Sequence, residues 1–160
     1  MVAETLVSML LQPGTFQCEV IELGEYAADL MRWPAEHIDE LGTRVAGSDL
    51  VVFASPTYKA TYTGLLKLFL DRYDTNGLAG VTAIPLHTGG AHTHAMGPTF
   101  TLAPLLMELG AIIPGRGLYV PMSELEHLTD FLRGPVAEYQ HNVERLGRIA
   151  AAVKLSEGTE

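Results

Sequence analysis

Residues 50–64 read LVVFASPTYKATYTG, and this stretch decides the fold of the chain. It begins with a short apolar run that is typical of a buried β-strand, and it leads into the apolar helical run Leu65–Leu70. Open α/β sheets form ligand sites where a strand ends in a loop before a helix. Pro56 fixes its own φ and restricts the residue before it, so this loop is stiff. The stretch therefore predicts a loop that offers Tyr58 and Tyr62 to a planar ligand. The alternative is a plain connection with two surface tyrosines.

Apolar periodicity predicts helices and strands in alternation along the whole chain. The predicted elements of the first half are a helix with Ala3, Leu6, Val7, Leu10 and Leu11 on one face, ended by Pro13-Gly14; a strand over Gln17–Leu23; a helix over Ala35–Ala46 with Ile38, Leu41 and Val45 inward, closed by Gly47; a strand over Asp49–Ala54; and a helix over Gly64–Tyr73. Those of the second half are a strand over Val81–His87; a helix over Ala95–Leu109; a strand over Ile112–Pro121; a terminal helix with Val136, Tyr139, Val143, Leu146, Ala150 and Val153 on one face; and a frayed tail over Ser156–Glu160. This alternation predicts a parallel sheet with helices on both faces, in a single domain over residues 1–160.

Prolines and glycines mark three irregular places in this scheme. Pro85 cannot donate to a ladder, which is unusual for a central strand. Pro104 removes one backbone bond from its helix and is expected to kink it. Gly115 and Gly117 are expected to divide the last strand into two pieces.

Composition excludes several classes of protein. The net charge of −9 argues against nucleic acid as a partner, because phosphate binding needs clustered cations. No run approaches the roughly 18 apolar residues of a membrane span, and the amino terminus lacks the features of a signal peptide. The single cysteine, Cys18, excludes an intramolecular disulfide, and its predicted strand implies a buried, inert thiol. A cytoplasmic, enzyme-sized domain fits these observations.

Four motifs resemble a known family. Ser55-Pro56-Thr57-Tyr58, Tyr62-x-Gly64, Thr88-Gly89-Gly90-Ala91-His92 and Leu109-Gly110-Ala111 are similar to those of the NAD(P)H-dependent FMN reductases, and the similarity covers nearly the whole chain. The resemblance implies a flavodoxin-like sheet of strand order 2-1-3-4-5. It also implies FMN and NAD(P)H as cofactors, with hydride passing from nicotinamide to flavin and electrons passing on to a small-molecule acceptor. No catalytic side chain is expected, because the cofactors carry the chemistry.

The resemblance also places the residues of the flavin site. The implied cofactor-binding residues are Ser55, Pro56, Thr57, Tyr58, Lys59, Ala60 and Tyr62 in the first loop, and Thr88, Gly89, Gly90, Ala91 and His92 in the second. Glycine suits the second loop because it lets the backbone approach a ligand closely. Lys59 is a candidate for the NADPH phosphates, and Arg116 is a weaker one.

One departure from the family concerns the beginning of the chain. Family members start with a strand and a loop that binds the FMN phosphate, whereas Met1–Glu4 already looks like part of the first helix. We therefore expect that the first strand and the phosphate loop are absent, and that the true start codon lies upstream. The alternative is a four-stranded variant in which the Gln17 and Asp49 strands pair directly. Because hydrogen bonds to charged groups are worth about 1.5–3 kcal/mol each, we expect protein made from Met1 to purify colourless.

Two other functions and an assembly remain open from the sequence. A flavin-binding electron carrier and a degenerate, non-catalytic subunit of the same fold are the alternatives to the reductase. His87, His92 and His94 lack a matched set of carboxylates or cysteines, so a metal site is not predicted.

Two helices are apolar on more than one face, which predicts a homodimer or homotetramer. The apolar residues are Leu65, Leu66, Leu68, Phe69 and Leu70 in one helix, and Phe100, Leu102, Leu105, Leu106, Met107 and Leu109 in the other.

Overall fold

The structure is a computed structural model, and it describes residues 1–150 and residue 153. The α-helices are α1 (Val2–Leu10), α2 (Ala27–Leu30), α3 (Glu36–Ala46), α4 (Gly64–Leu70), α5 (Ala103–Glu108) and α6 (Leu128–Ala150). The strands are β1 (Leu50–Pro56), β2 (Thr82–Gly89) and β3 (Leu118–Pro121). Short 3-10 helices cover Leu23–Tyr26, His92–His94 and Met122–His127, and a π-helix covers Pro98–Leu102.

The three strands form a parallel sheet in the order β1-β2-β3, with a helical layer on each face. On one face, α3, α4 and α5 pack their buried leucines and phenylalanines against Phe53 and Ala83. On the other face, Leu6 of α1 and the buried residues of α6 pack against Ile84 and Leu86. The predicted α/β fold with helices on both faces is therefore confirmed. None of the helices in the described part of the chain is long and apolar enough to cross a bilayer.

The predicted strand over Gln17–Leu23 is wrong. Residues 17–22 have no regular secondary structure, and Leu23 begins a 3-10 helix. The segment has the alternating pattern of a strand, but a strand forms only where a neighbour satisfies its backbone groups, and no described segment pairs with it. The alternative of direct pairing with β1 is wrong for the same reason. The prediction of a buried Cys18 fails with the strand, because this thiol is exposed.

β1 has an open edge. Thr82 N donates to Asp49 O at 3.0 Å and Thr57 N donates to Thr88 O at 2.8 Å, so the odd-numbered residues of β1 bond to β2. The even-numbered residues, among them Val52 and Ala54, direct their backbone groups to the other side. No described residue accepts a hydrogen bond from these two N–H groups.

Pro85 lies in the central strand, and the interruption of the last strand accommodates it. Ala83 N donates to Ile112 O at 2.8 Å, so the odd-numbered residues of β2 face the last strand. In an unbroken ladder Pro85 would have to donate to the carbonyl of Pro114, and it has no N–H. The Pro114 carbonyl instead accepts a hydrogen bond from Asn142 Nδ2 at 2.8 Å. The expected division of the last strand is confirmed, since Ile112 forms an isolated bridge and β3 begins only at Leu118.

The helix predicted over Ala95–Leu109 changes type along its length. Ala103 N donates to Pro98 O, which is a bond across five residues and defines a π-helical turn. Pro104 follows at the start of α5, where a missing N–H is tolerated. The irregularity expected from Pro104 therefore takes the form of a π-helix before it.

Two other predicted helices differ from the structure in extent or burial. α4 ends at Leu70, earlier than predicted, and the chain then turns through Asn76, which has a φ of 62°. On α6 the predicted stripe is buried at Val136 and Tyr139 but exposed at Val143 and beyond. The tail predicted over Ser156–Glu160 lies outside the described residues.

We expect amide hydrogen exchange in β1 to alternate along the strand. The N–H groups of Val51, Phe53 and Ser55 bond to β2 and should exchange slowly, whereas those of Val52 and Ala54 face the open edge and should exchange much faster. NMR on residues 1–160 measures this, with the slow amides of the same strand as internal control. Uniformly slow exchange along β1 would contradict the open edge.

Candidate functional site

The two predicted loops meet at the carboxyl ends of β1 and β2. The register of the two strands runs to Pro56↔Thr88, and beyond it Thr57 N donates to Thr88 O at 2.8 Å. The first loop therefore leaves the sheet already bonded to the second. The structure thus brings together the two groups of residues predicted to bind the cofactor.

The Ser55 side chain stabilises the first loop through its hydrogen bonds. Its buried hydroxyl donates to the carbonyl of Pro56 at 2.9 Å and accepts a hydrogen bond from Thr63 N at 2.9 Å. Thr63 is the N-cap of α4, where its own hydroxyl accepts a hydrogen bond from Leu66 N at 3.4 Å. The Ser55 side chain thus fixes the distance between strand and helix, and its hydroxyl is taken up within the loop.

The tip of the first loop is a tight turn in an unfavourable conformation. Tyr58 and Thr61 exchange backbone hydrogen bonds of 3.0 and 3.3 Å. Between them Lys59 and Ala60 have φ values of 52° and 69°. The left-handed region costs an L-residue about 1–2 kcal/mol, and such turns usually contain Asn-Gly or Gly-Gly. Tyr58 is 66% exposed, so its ring is open to solvent beside the turn.

Two glycines of the second loop differ in their surroundings. A Cβ on Gly89 would lie 2.4 Å from the Tyr119 hydroxyl and 3.3 Å from Cβ of Thr57. The same tyrosine hydroxyl donates to the carbonyl of Ala91 at 2.8 Å and so holds the loop in place. A Cβ on Gly90 would meet no atom within 4 Å. Gly89 is therefore required by the protein's own packing, whereas the space at Gly90 is open.

His87 lies beneath both loops and is fully buried. Neither ring nitrogen has a hydrogen-bond partner among the described residues. Its ring packs edge-on against Tyr62, with ring centres 6.3 Å apart. The residue facing Nδ1 is Gly97, where a Cβ would lie 3.1 Å from this nitrogen and 3.2 Å from the Ala60 carbonyl. Burial lowers the pKa of His87 to about 4, so the imidazole is neutral near pH 7.

The structure separates His87 from the other histidines of its segment. His92 is exposed in a 3-10 turn and His94 is half-buried. The described residues contain no group of three histidines, cysteines or carboxylates arranged to hold a metal ion. Nothing in the sequence indicated that His87 would be enclosed, because its burial depends on the later segment around Gly97. Tyr62, predicted to face a ligand, is half-buried and packs edge-on against His87.

Arg116, the weaker candidate for a nucleotide phosphate, is engaged elsewhere. Its guanidinium donates to both carboxylate oxygens of Glu138 on α6, at 3.2 and 2.7 Å. This ion pair lowers the pKa of the Glu138 carboxyl and raises the pKa of Arg116. The arrangement joins the segment before β3 to the terminal helix.

A flavin fits the residues at the two loops. The Thr57 hydroxyl is shielded from solvent and has no partner among the described residues, so the protein itself leaves its hydrogen-bonding capacity unused. Gly90 leaves open space for a close approach, and the exposed ring of Tyr58 on the first loop offers a flat apolar surface. A polar cavity of about 330 Å³ lies at the same end of the molecule, between the N-terminal ends of α1 and α6. Its lining residues are Met1, Thr5 and residues 125–130.

Comparisons with solved structures define the class of protein. An oxidoreductase from Corynebacterium diphtheriae superposes with a TM-score of 0.74 at 26% identity, over 90% of this chain and 85% of that chain. The apo form of the NADH:FMN oxidoreductase EmoB superposes with a TM-score of 0.72 at 26% identity, over 87% of this chain and 79% of that chain. The fold is thus that of the flavodoxin-like oxidoreductases, as predicted.

Sequence comparison identifies the family. A model of the NADPH-dependent FMN reductase family matches residues 1–124. An FMN reductase (NADPH) of Pseudomonas aeruginosa is 31% identical over 130 residues, which are 78% of this chain and 69% of that protein. One of Pseudomonas putida is 30% identical over 103 residues, 63% of this chain and 52% of that protein. The NADH-dependent FMN reductase SfnF of Pseudomonas fluorescens is 33% identical over 109 residues, 64% and 58% of the two chains. This chain belongs to the NADPH-dependent FMN reductase family, and it spans about half to two thirds of the length of these relatives.

We expect acid to destabilise the protein through His87. The folded state keeps this imidazole neutral down to about pH 4, whereas the unfolded chain takes up a proton near the ordinary pKa of 6.5. Stability is therefore lost as the pH falls from about 6.5 to about 4, by up to roughly 3 kcal/mol. Urea unfolding at several pH values measures the loss as the difference between the protein and a His87→Leu variant.

The His87→Leu variant should lose this pH dependence and be at least as stable at pH 7, because it removes two unpaired buried nitrogens. A His141→Leu variant is the control, since His141 is exposed on α6 and should leave the pH profile unchanged. Parallel profiles for the protein and His87→Leu would contradict the burial of a neutral histidine.

Proposed function

We propose that this chain catalyses NAD(P)H-dependent reduction of FMN, with electrons passing from the flavin to a small-molecule acceptor. Membership of the NADPH-dependent FMN reductase family supports the proposal. The relatives that are named FMN reductase (NADPH) are longer than the regions in which they match this chain. The observation that carries it is the pair of hydrogen-bonded loops with an unpaired Thr57 hydroxyl and an open Gly90. These are the features that a planar ligand with a polar edge requires.

The residues that would hold the flavin act mainly through their backbone. Residues 56–60 would surround the ring from one side, with Thr57 Oγ1 and the amides of the strained turn directed to its polar edge. Residues 88–91 would approach from the other side, with His92 at the end of the loop, and Ser55 would hold the first loop in shape. FMN supplies the redox chemistry by accepting a hydride and releasing electrons. The protein's part is to orient the two rings and exclude water, which makes the transfer effectively intramolecular.

We also propose that the open edge of β1 accepts one further parallel strand, so that the described residues form most, but not all, of the flavodoxin-like sheet. Support comes from the unpaired backbone groups at Val52 and Ala54, which form a template for pairing with another strand. The loop after such a strand would lead to α1, beside the polar cavity at its N-terminus. A helix N-terminus is a site that suits the FMN phosphate.

The assembly that we propose is a homodimer or homotetramer, located in the cytoplasm with the nicotinamide nucleotides that the reaction uses. An exposed apolar patch at Met96, Phe100 and Met107 supports the assembly, since these residues are 53%, 69% and 61% exposed. The other helix gives less support. Leu66, Phe69 and Leu70 of α4 are buried within the protomer, and Leu65 and Leu68 are half-buried.

We expect Gly90→Ala to weaken FMN binding without changing the stability of the free protein. Its methyl group meets no protein atom within 4 Å, so the urea midpoint should stay the same. The methyl would occupy the space of the flavin ring, and overpacking of about 1–3 kcal/mol corresponds to a rise in Kd of about tenfold or more. Quenching of FMN fluorescence on adding protein measures the Kd, and turnover of NADPH measures the activity.

Gly147→Ala is the matched control, because its methyl is equally unobstructed but lies on α6. It should leave flavin binding nearly unchanged and raise stability by about 0.5–1 kcal/mol, because alanine is the better helix former. Failure to bind saturating FMN in a protein that also carries the further strand and its phosphate loop would refute the function. Binding without NADPH or NADH oxidation would indicate an electron carrier. An unchanged Kd in Gly90→Ala would refute the role of the second loop.

We expect Phe100→Glu to dissociate the oligomer, because it places a charge in the centre of the exposed apolar patch. Size-exclusion chromatography with light scattering at micromolar concentration measures the mass. Leu146→Glu is the control, since Leu146 is also half exposed but lies on α6. A monomer before mutation, or an oligomer that survives Phe100→Glu but not Leu146→Glu, would refute this interface.

A further inference from the structure

The positive charges of the described residues are nearly all paired. The chain has 19 acidic and 10 basic residues, so carboxylates are in excess. Apart from Lys59 and Arg145, each described arginine and lysine forms an ion pair with a carboxylate. These pairs are Arg32–Asp29, Arg44–Glu19, Lys67–Asp71, Arg72–Asp39, Arg116–Glu138, Arg133–Asp130 and Arg148–Glu144. Lys59 therefore stands out as a cation that no described carboxylate neutralises.

The position of Lys59 is held at a cost in backbone energy. It is the first of the two left-handed residues in the turn between Tyr58 and Thr61. The turn sits on a loop that is bonded to β2 through Thr57 N and anchored to α4 through Ser55. A lysine in a conformation that glycine or asparagine adopts more easily indicates that its side chain has a use at this place.

The chemistry of the site limits what an unpaired ammonium group would bind. If the proposed function holds, the first loop lies at the flavin ring, and the phosphate of FMN lies at the far end of the ribityl chain. The phosphate groups that reach the ring's open face are those of the nicotinamide nucleotide, whose pyrophosphate is close to the nicotinamide. A lysine is suited to such a group as a flexible point charge.

We propose that Lys59 binds a phosphate group of NADH or NADPH and so positions the nicotinamide over the flavin. The inference rests on the proposed function, because it needs the flavin at the loop. It makes the Lys59 ammonium group a substrate-binding group, whereas the backbone of the residue stays part of the loop that would hold FMN.

The test uses Lys59→Met, which removes the charge and keeps a side chain of similar length. Binding of NADP⁺ to the FMN-loaded protein is measured by isothermal titration calorimetry, and binding of FMN by fluorescence quenching. Loss of one charge-assisted hydrogen bond should raise the Kd of NADP⁺ about tenfold and leave the Kd of FMN unchanged. Added salt should weaken NADP⁺ binding less in the variant than in the unmodified protein.

Three further variants separate charge from loop shape. Lys59→Arg keeps the charge and should keep most of the affinity for NADP⁺. Lys59→Gly removes the charge and relieves the left-handed strain, so it should bind NADP⁺ as weakly as Lys59→Met. Arg145→Met is the matched control, because Arg145 is the other described cation without a carboxylate partner and lies on α6 beside Ile113 and Pro114. It should leave the Kd of NADP⁺ unchanged.

The outcomes that overturn the inference are distinct from failure of the reductase function. Recovery of NADP⁺ binding in Lys59→Gly would assign the effect to loop shape. Weaker binding of FMN but not of riboflavin in Lys59→Met would assign Lys59 to the flavin phosphate. Loss of NADP⁺ affinity in Arg145→Met as large as in Lys59→Met would indicate a general effect of charge. A protein that binds NADP⁺ in a Lys59-dependent way but oxidises no NADPH would refute the function and leave the Lys59 contact standing.

Discussion

The hydrogen bond from Thr57 N to the Thr88 carbonyl extends the β1–β2 ladder into the first loop of the candidate site. The parallel ladder holds β1 and β2 in register up to Pro56↔Thr88, and this bond continues it by one step into the first loop. Ser55 then fixes the start of α4, and Tyr119 of β3 fixes Ala91 in the second loop. Because each contact starts from a strand residue, the loops take their positions from the sheet. A ligand at this edge would therefore meet a surface that is formed before it arrives.

Several energetically unfavourable features collect at this same end of the molecule. Lys59 and Ala60 occupy the left-handed region, Thr57 Oγ1 and both ring nitrogens of His87 lack partners among the described residues, and β1 has an open edge. Elsewhere Asn142 satisfies the carbonyl opposite Pro85, whereas the buried Nε of Arg72 lacks a partner among the described residues and Asn76 is left-handed. The loop end differs in that several such features lie close together, and this clustering is typical of a binding site, where local stability is given up for a fixed geometry.

What the sequence predicted well was local in origin. The unit from β1 to α4 follows from an apolar run, a proline and a second, helical apolar run that lie close together in the sequence, and the division of the last strand follows from its glycines. The strand over Gln17–Leu23 failed because a strand depends on a partner that its own residues do not reveal. The burial of His87 and the contact of Tyr62 with it depend on Gly97 in a later segment, so no local pattern could indicate them. Pro85 and Pro114 did contain a usable signal, because two prolines at matching ladder positions cannot bond to each other.

The distribution of charge around the loops follows from the same geometry. His87, beneath both loops, is neutral because its enclosure lowers its pKa to about 4, and the nearby Tyr62 adds only an aromatic edge. The positive charge of Lys59 lies on the outer side, on an exposed turn. Because the buried His87 is neutral and the positive charge of Lys59 lies at the surface, the site does not need to hold a buried charge. A buried charge would be costly to desolvate. With the ligands bound as we propose, this site would attract an anionic donor from solvent without placing a charged group beneath the flavin ring. The conformation of the turn, rather than any buried ionisable group, would then join nucleotide binding to the flavin site.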